Sequence, residues 1–540
     1  MSVRMRAAAA AVVIGLFAGA CSGSNSGGGT SSGGSSPAGT PKIGGNLVMG
    51  TEAEIDGFDP TSNRWDTTGY MYAWTVYDPL TAYGSDEKVH PYLAQAVTPN
   101  AAYTQWTITL RPNITFSNGD PLTGAAVATD LTSIKAAPLT GSIYDDITSI
   151  TATGPLTLQV NMKTAWVAFP TYLAGQGGAV FDPKMLKDPN RAQHPIGTGP
   201  FTLKEWVPGN HFLAVKNPTY WQKGKPYLDS VEYRPIIEEQ SRENSLQAGN
   251  IQVFHSSDPQ ATFDLKGKSG INILDETKSS GQQVQDFVML NTGKAPLNDV
   301  TLRQALAYAT DQQKIINLIN FGLTPASDGP FSNKSSPYYA PTGYPVYNLA
   351  KAKQLVQQYE QKHGVSSVSF ELGTTNVGRN LQYASLLQDM WKQAGVTVTI
   401  KQVEQSQFIL NALQGNFQAY TWRQFGDPDP DSEYIWWAAS TAKPEGALSL
   451  NFARNKDPQI QADLDKGRTD PNQAARVAAY QDVAKRLAVD VPYLWVNEAD
   501  WQIVSNPKVH GVNTWTLPDG SPGVNHTIGG VFFIDNVWLG

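Results

Sequence analysis

The sequence predicts a mixed α/β fold in which an α/β region is combined with an α+β region. Between residues 345 and 422, stretches with helical spacing of apolar residues alternate with stretches in which every second residue is apolar. Strands separated by helices in this way pair in a mostly parallel sheet. Residues 106–111 and 156–162 instead form short alternating runs between Gly, Pro and Asn, which is typical of antiparallel strands with one solvated face.

The elements of the α/β region have recognisable boundaries. Asn348 is a typical helix N-cap, and Gly364, Gly395 and Gly415 suit the ends of three successive helices. Ligands bind beyond the carboxyl ends of strands in such sheets, so Trp422 and the residues after it are predicted to line a binding site. The first predicted helix follows Asn348 and ends at Gly364, and the strand after it is 368–372. The next helix and strand are 380–394 and 396–400, and the last are 408–413 and 417–422.

The last part of the chain is predicted to add one helix and one buried strand. Asp470 and Pro471 form an N-cap and N1 pair for a helix that runs to about residue 488. Residues 491–496 are apolar almost throughout, which predicts a strand inside the core.

The N-terminus predicts export and lipid attachment. Arg4 and Arg6 precede an apolar run over residues 7–20, which is shorter than the about 20 residues of a bilayer span and fits a secretory signal. Cys21 is the only cysteine and follows small residues, so residues 1–21 resemble a bacterial lipoprotein signal that leaves an acylated Cys21. An ordinary secretory signal with an incidental cysteine is the alternative.

Residues 22–41 are predicted to be a disordered tether. They contain no large apolar residue and are rich in Gly and Ser, so they cannot bury enough surface to order the chain. A flexible coil of this length reaches roughly 25 Å, enough to hold a folded body away from a membrane surface. We therefore expect an extracytoplasmic monomer that is anchored to the outer face of the cell membrane through lipid on Cys21.

The composition excludes several classes of function. The chain has 40 basic and 47 acidic residues, and the formal charge of −7 argues against nucleic acid as a partner. Its seven histidines never have the HExxH spacing of a zinc protease, and residues 267–269 lack the earlier glycine of a P-loop. Asp427, Asp429 and Asp431 mimic a calcium loop, but Ala438 stands where the twelfth position requires Glu. No metal and no cofactor are therefore predicted.

Three long segments resemble extracytoplasmic solute-binding protein family 5, the substrate-binding lipoproteins of peptide and nickel ABC importers. They occur in the order that the family shows, and 225–229 and 246–249 follow the second one, also in that order. The segments are LRPNITFSNGDPLTGAAVATDL (110–131), GTGPFTLKEWVPGNHFLAVKNPTYW (197–221) and NDVTLRQALAYATDQQKII (298–316).

The resemblance implies a two-lobed periplasmic-binding-protein fold with a discontinuous lobe I and an extra inserted domain. A ligand that touches both lobes favours the closed state, which the permease subunits of the importer then recognise. The protein is expected to capture a solute and not to be an enzyme. The implied boundaries are 42–86, 190–283 and 497–540 for lobe I, 87–189 for its inserted subdomain and 284–496 for lobe II.

The same resemblance suggests ligand-binding residues in lobe II. In peptide-binding members, a Trp at a strand end is followed by an Asp that pairs with the peptide amine, and Trp422 matches that Trp. Gln424 or Phe425 occupies the place of the Asp, so either Asp427 takes that role or Arg423 makes the pocket prefer an anion. A packed core indole and solvated loop charges are the alternatives.

Further contacts are suggested on both lobes. Arg379 stands at the start of the second predicted helix, where free amide groups favour an anion, and dipeptide binders hold the peptide carboxylate with an arginine near this place. A surface arginine is the alternative. On lobe I, Tyr77 and Asp78 occupy a family position that faces the cleft, and Glu52 and Glu54 lie in a loop that often does.

The predicted function is therefore capture of a short peptide, a dipeptide or an oligopeptide, for delivery to an ABC importer permease. A second hypothesis keeps the same machinery with another ligand: a metal chelate such as nickel or haem, an opine-like anion, or an oligosaccharide. A hypothesis from a different class is a secreted hydrolase with paired carboxylates, which the abundance of Asp and Trp alone suggests.

Overall fold

A computed structural model describes residues 39–63, 65–138, 141–275, 284–424, 426–499, 501–513, 515–523 and 529–540. The predicted signal, Cys21 and nearly all of the predicted tether lie outside these residues. Among the helices of the described residues, none combines the length and the apolar character that crossing a membrane requires.

The described part of the chain contains 22 strands and 13 α-helices. The strands are β1 (Asn46–Thr51), β2 (Asp78–Pro79), β3 (Thr81–Tyr83), β4 (Val89–Pro91), β5 (Ala94–Pro99), β6 (Gln105–Leu110), β7 (Ile147–Gly154), β8 (Thr157–Met162), β9 (Ala179–Val180), β10 (Phe201–Val207), β11 (His211–Lys216), β12 (Ser230–Pro235), β13 (Val253–Ser256), β14 (Asn272–Asp275), β15 (Gln285–Leu290), β16 (Val368–Thr375), β17 (Val396–Val403), β18 (Ala419–Gln424), β19 (Tyr493–Glu498), β20 (Gln502–Ser505), β21 (Val509–His510) and β22 (Trp538–Leu539). The helices are α1 (Thr67–Val76), α2 (Gly124–Lys135), α3 (Phe169–Tyr172), α4 (Glu239–Gln247), α5 (Gln260–Leu265), α6 (Val300–Ala309), α7 (Gln312–Ile319), α8 (Leu349–His363), α9 (Gly378–Gln393), α10 (Gln405–Gln414), α11 (Tyr434–Trp437), α12 (Pro458–Thr469) and α13 (Gln473–Asp490).

A seven-stranded mixed sheet forms the centre of lobe I. Its strand order is β10-β11-β12-β1-β13-β20-β14. The first strand, β1, pairs in parallel with both β12 and β13, whereas β20 runs antiparallel to β13 and β14. Since β20 follows the second lobe in the chain, this sheet combines the beginning and the end of the described residues.

A separate four-stranded antiparallel sheet, β5-β6-β8-β7, lies early in the chain. Its strands include the alternating runs that predicted strands with one solvated face, and every second residue of β6 and β8 is buried. Helix α2 packs on this sheet and is capped by Thr123, whose side chain accepts a hydrogen bond from the Ala126 amide.

Lobe II is built on a five-stranded sheet in the order β17-β16-β18-β15-β19. The predicted α/β region is confirmed, because β16 pairs in parallel with β17 and β18 and helices α9 and α10 connect them. Asn348 caps α8, and Gly364 and Gly415 end α8 and α10 in the left-handed conformation, with φ of 65° and 72°. The mixed fold predicted from the sequence is therefore correct.

The predicted start of the last helix is wrong by two residues. Asp470 ends α12, since its amide bonds to the Lys466 carbonyl, and Asn472 is the N-cap of α13. The carboxylate of Asp470 accepts a hydrogen bond from the Asn472 amide, so it closes the short turn between the two helices. Helix α12 was missed because its buried apolar residues are few.

The buried apolar residues separate into two large clusters. One draws on residues 47–253 and 503–537, and the other on residues 287–496. Ile143 packs against both clusters. The lobe boundaries proposed from the sequence stay a prediction, and this separation supports them.

Candidate ligand cleft

The carboxyl ends of parallel strands in lobe I form one side of a cleft. Because β1 and β13 are parallel neighbours, Glu52 after β1 lies beside Ser257 and Asp258 after β13. Ser257 donates hydrogen bonds to Glu52 Oε2 from its hydroxyl, at 2.9 Å, and from its amide, at 3.1 Å. Trp501 precedes β20, which runs antiparallel to β13, so the indole lies at the same edge.

The corresponding edge of the lobe II sheet carries an arginine and a carboxylate. Arg423 near the end of β18 pairs in register with Asp286 of β15, which in turn pairs with Asn497 of β19. Arg423 Nε donates to Asp286 Oδ1 at 2.7 Å, and Asn497 Nδ2 donates to Oδ2 at 3.0 Å. Burial raises the pKa of Asp286, but the charges of the cleft arginines and these hydrogen bonds outweigh burial and hold it below its usual value.

Arg379 joins the two lobes from the first turn of α9. Its Nη2 donates to Asn320 Oδ1 at 2.6 Å, and its Nε lies 3.7 Å from Asp258 Oδ1 of lobe I. The N-cap residue of α9, Val377, supplies no side-chain acceptor. The first amide groups of this helix therefore receive no side-chain cap, and their predicted use by an anion stays a prediction.

The charges of the two edges interact across the cleft. The Arg423 guanidinium carbon lies 5.0 Å from the centre of the Trp501 ring. Burial raises the pKa of Glu52, but nearby positive charges, the largest from His255, outweigh it and hold that pKa below its usual value. Arg423 is another of these charges, and Glu52 in turn helps to raise the pKa of Arg423. The structure thus brings Glu52, Arg379 and Arg423 together in one cleft.

Asp427, three residues after β18, is a carboxylate without a counter-charge among the described residues. It follows β18 and is half-buried, and no hydrogen bond or ion pair of its carboxylate is found among the described residues. Its neighbour Asp429 is satisfied by Arg476, whose Nη2 lies 2.7 and 2.8 Å from the two oxygens. Burial, together with repulsion from Asp429, raises the pKa of Asp427 to about 7. Burial raises the pKa of Tyr83 of lobe I, and the charge of Asp427 adds to that rise.

The profile of the bacterial extracellular solute-binding proteins, family 5, matches residues 88–445. The chain belongs to this family. Family 5 proteins are transport binding proteins of ABC importers and are extracytoplasmic, as the resemblance of the three sequence segments implied.

Known relatives of this family 5 protein have different ligands. The nickel-binding periplasmic protein of Escherichia coli K12 is 26% identical over 478 residues, which cover 84% of this chain and 89% of the relative. Oligopeptide-binding AppA from Bacillus subtilis, solved with a nonapeptide, has a TM-score of 0.80 at 21% identity and covers 93% of this chain and 100% of its own. AgaA of A. tumefaciens R10, solved with agropinic acid, has a TM-score of 0.81 at 23% identity, with 92% and 99% covered. These structures establish the two-lobed fold for the family 5 protein described here.

Trp422 lies on the opposite face of β18 from Arg423, since neighbouring residues of a strand alternate. Its ring stacks on Phe408 at 5.2 Å and meets Phe452 edge-on at 5.3 Å. The indole is only half-buried. It belongs to the packing of lobe II on one side, and its role as a wall of the ligand pocket stays a prediction.

Tyr77 and Asp78 lie in the core of lobe I, and the structure does not bring them close to the other predicted site residues. Asp78 is fully buried and accepts hydrogen bonds from Thr198 Oγ1, Tyr220 and Trp221 Nε1 at 2.9, 3.2 and 3.0 Å. Burial raises its pKa to about 7. The Tyr77 hydroxyl donates to a main-chain carbonyl. These surroundings explain both residues by packing and give no support to the predicted ligand contact.

Two other predicted residues are also placed by the structure. Glu54 accepts hydrogen bonds from Trp206 Nε1 and from the Gly209 amide, both at 2.7 Å, so both of its oxygens hold a loop of lobe I. The main chain of Gln424 pairs with Gln285 at the end of β18, and its side chain lies outside the described residues.

Sequence reasoning missed several residues of the cleft, among them Asp286, Asp258 and Trp501. It also missed Asp66, which is the N-cap of α1 and accepts a hydrogen bond from the Gly69 amide at 2.8 Å. Asp258, Trp501 and Asp66 flank a strand or a helix, and Asp286 is the second residue of β15, so a position at an element boundary was the available signal. No group of three or more His, Cys, Asp or Glu able to hold a metal is found in the described part of the chain.

Proposed function

We propose that the protein captures a short peptide between its lobes and delivers it to the permease of an ABC importer. The observation that carries this proposal is the pair of opposite charges on lobe II: Asp427, which has no partner in the described residues, and Arg379 at the uncapped start of α9. A peptide has an ammonium group for the first and a carboxylate for the second. Asp286 already neutralises Arg423, so Arg423 positions the neighbouring residues of this wall and does not bind the peptide carboxylate.

Capture then follows from the arrangement of the lobes. Glu52 and Asp258 belong to lobe I, whereas Arg379, Arg423 and Asp427 belong to lobe II. A ligand that contacts both sets binds the closed state more tightly and shifts the protein toward it. The permease subunits would recognise that closed state, and no chemical change of the ligand is proposed.

The proposal includes anchoring of a monomer through lipid on Cys21, with residues 22–41 as the tether. The sequence of the first 21 residues supports it, as does the extracytoplasmic location of the family. Replacement Cys21→Ser is expected to move the protein from the membrane fraction to the soluble extracytoplasmic fraction. Retention of the variant in the membrane would contradict lipid anchoring without touching the ligand proposal.

Native mass spectrometry of freshly purified protein tests the ligand. We expect a monomer with co-purified peptides of a few residues, and rebinding of such peptides without loss of peptide over time. Turnover of the peptide would instead support a hydrolase.

A second candidate ligand is an opine-like anion. It is favoured by the two arginines of the cleft and by the agropinic acid bound in AgaA. A co-purified opine, metal chelate or saccharide in place of peptides would decide for a non-peptide ligand and against the peptide proposal.

A further inference from the structure

A second cavity lies at the opposite edge of the lobe II sheet from Arg423. It has a volume of about 410 Å³ and begins at Asn291, directly after β15. Asp286, the partner of Arg423, stands at the other end of this strand. Since a strand rises about 3.3 Å per residue, roughly 17 Å of strand separate the cavity from the cleft. The cavity is therefore distinct from the site proposed for the peptide.

The cavity is strongly basic although the chain as a whole is acidic. Its lining includes Lys294, Arg303, Lys443, Arg454 and Lys456, against the single carboxylate of Glu445. Five positive charges less one negative charge leave +4 on this wall, in a chain whose formal charge is −7. Glu445 forms an ion pair with Lys294 at 2.7 Å, and its charge offsets the effect of burial on the pKa of Arg454 only in part.

Both arginines are buried, with 6% of their surface exposed, and neither has a carboxylate partner within ion-pair distance in the described residues. Their guanidinium groups donate to main-chain carbonyl groups, which carry no net charge. Burial lowers the pKa of each arginine to about 10, and nearby carboxylates offset this only in part. The acceptors are the carbonyls of Leu297 (2.9 Å) and Asp490 (2.8 Å) for Arg303, and of Asn451 (2.9 Å) and Leu413 (2.7 Å) for Arg454.

Buried donors remain unused beside this cavity. Arg454 Nε and Asn455 Nδ2 are buried and have no hydrogen-bond acceptor among the described residues. The backbone of Arg454 has a φ of 55°, in the left-handed region that a non-glycine residue adopts at a cost. The chain thus holds a buried cation in a strained conformation at a wall with more positive than negative charge.

We propose that this cavity binds a small oxyanion with two negative charges, of the phosphate type. Such an anion would supply the missing counter-charge and accept hydrogen bonds from the lysine ammonium groups at the rim. The volume lies within the range of about 300–1,000 Å³ that small-molecule sites occupy, so a phosphate ester fits as well as inorganic phosphate. The proposal is independent of the peptide ligand, because the two sites lie at opposite sheet edges.

Isothermal titration calorimetry of the mature protein with inorganic phosphate, at constant ionic strength set with chloride, tests the proposal. We expect one site with a Kd of about 1 mM or tighter. Sulfate and glycerol 3-phosphate, titrated separately, distinguish a free inorganic anion from an esterified one. Absence of binding by all three would overturn the proposal.

Variants of exposed residues test the location while preserving the fold. The double replacement Lys443→Gln and Lys456→Gln is expected to weaken phosphate binding about tenfold, because both ammonium groups lie at the rim. The matched control, Lys353→Gln with Lys392→Gln, makes the same change of charge on exposed parts of α8 and α9 and is expected to leave the Kd unchanged.

Glu445→Gln supplies a test of opposite sign. It removes the carboxylate that lines the wall among the described residues and frees Lys294, so binding of phosphate should become severalfold tighter. Equal losses in the rim and control variants, or weaker binding by Glu445→Gln, would show that the anion does not occupy this cavity.

Discussion

At the scale of single residues, Asp427 is expected to decide ligand affinity. Replacement Asp427→Asn removes the charge that would pair with a peptide amine. Affinity for peptides with a free N-terminus should fall about 10- to 100-fold, since a hydrogen bond between charged groups contributes roughly 1.5–3 kcal/mol. Titration calorimetry with free and N-acetylated forms of one peptide measures this change in affinity. The acetylated form should bind the variant and the native protein with equal affinity. Asp389→Asn, an exposed change on α9, is the control.

The same replacement is expected to stabilise the ligand-free protein. In the folded state the pKa of Asp427 is raised to about 7, above its ordinary value of 3.8, so ionisation opposes folding. The folded protein binds the proton of Asp427 more tightly than the unfolded chain does. The free energy of unfolding of the native protein therefore falls as the pH rises from about 4 to about 7. At pH 8, Asp427→Asn should unfold at a higher denaturant concentration, with a free energy of unfolding that is larger by on the order of 1–3 kcal/mol. This difference should shrink toward pH 4. A variant that is less stable than the native protein at pH 8 would contradict the unpaired state of this carboxylate.

The cleft shows which residue contacts a sequence can predict. Arg379 was placed at a helix start because that feature depends on a few neighbouring residues. The pair of Arg423 and Asp286 depends on the register of two strands whose partners are 137 positions apart, so no local pattern contains it. Asp78 shows the reverse case, in which a position matches the family but three donors of the core satisfy the carboxylate.

At the scale of elements, the glycines that end α8 and α10 allow two matched measurements of what a left-handed alanine costs in stability. Gly364→Ala introduces a Cβ with no heavy atom within 4 Å, and we expect a loss of about 1 kcal/mol from the backbone alone. Gly415→Ala has nearly the same φ, but its Cβ would lie 2.9 Å from Arg454 Nη2. We expect at least about 1 kcal/mol of additional loss in chemical denaturation, because the buried guanidinium must move. Equal losses would show that the wall around Arg454 is easily displaced.

Element boundaries were predictable where a cap and a periodic pattern agreed. Asn348 and Gly364 delimit α8 in both the prediction and the structure, because the N-cap and the left-handed C-cap act locally. The turn between α12 and α13 was misplaced, since Asp470 and Asn472 are both good caps and only the packing of the two helices decides between them. The order of strands in each sheet is set by contacts distant in the sequence, so no local pattern predicted it.

At the scale of the whole molecule, a buried contact joins the segment predicted as the inserted subdomain to the segment predicted as lobe II. Asp431 is fully buried, and it accepts hydrogen bonds from Trp166 Nε1 at 2.7 Å and from Arg468 Nε at 2.9 Å. Arg468 Nη2 also donates to the Tyr172 hydroxyl at 2.9 Å. With the predicted lobe boundaries, opening would separate Trp166 and Tyr172 from Asp431 and Arg468, so we expect these contacts to favour closure.

Trp166→Phe should therefore lower ligand affinity from a position that does not contact the ligand. The replacement removes one hydrogen bond to a buried carboxylate in the closed state, and each 1.4 kcal/mol lost there weakens apparent affinity about tenfold when the open state dominates without ligand. Trp221→Phe is the matched control, because its indole donates to buried Asp78 at 3.0 Å within lobe I. Both variants should lose stability, but only Trp166→Phe should bind peptide more weakly and show a larger radius of gyration by X-ray scattering at subsaturating ligand. Unchanged affinity in Trp166→Phe would mean that this contact persists when the lobes open, and that the inserted region moves together with lobe II.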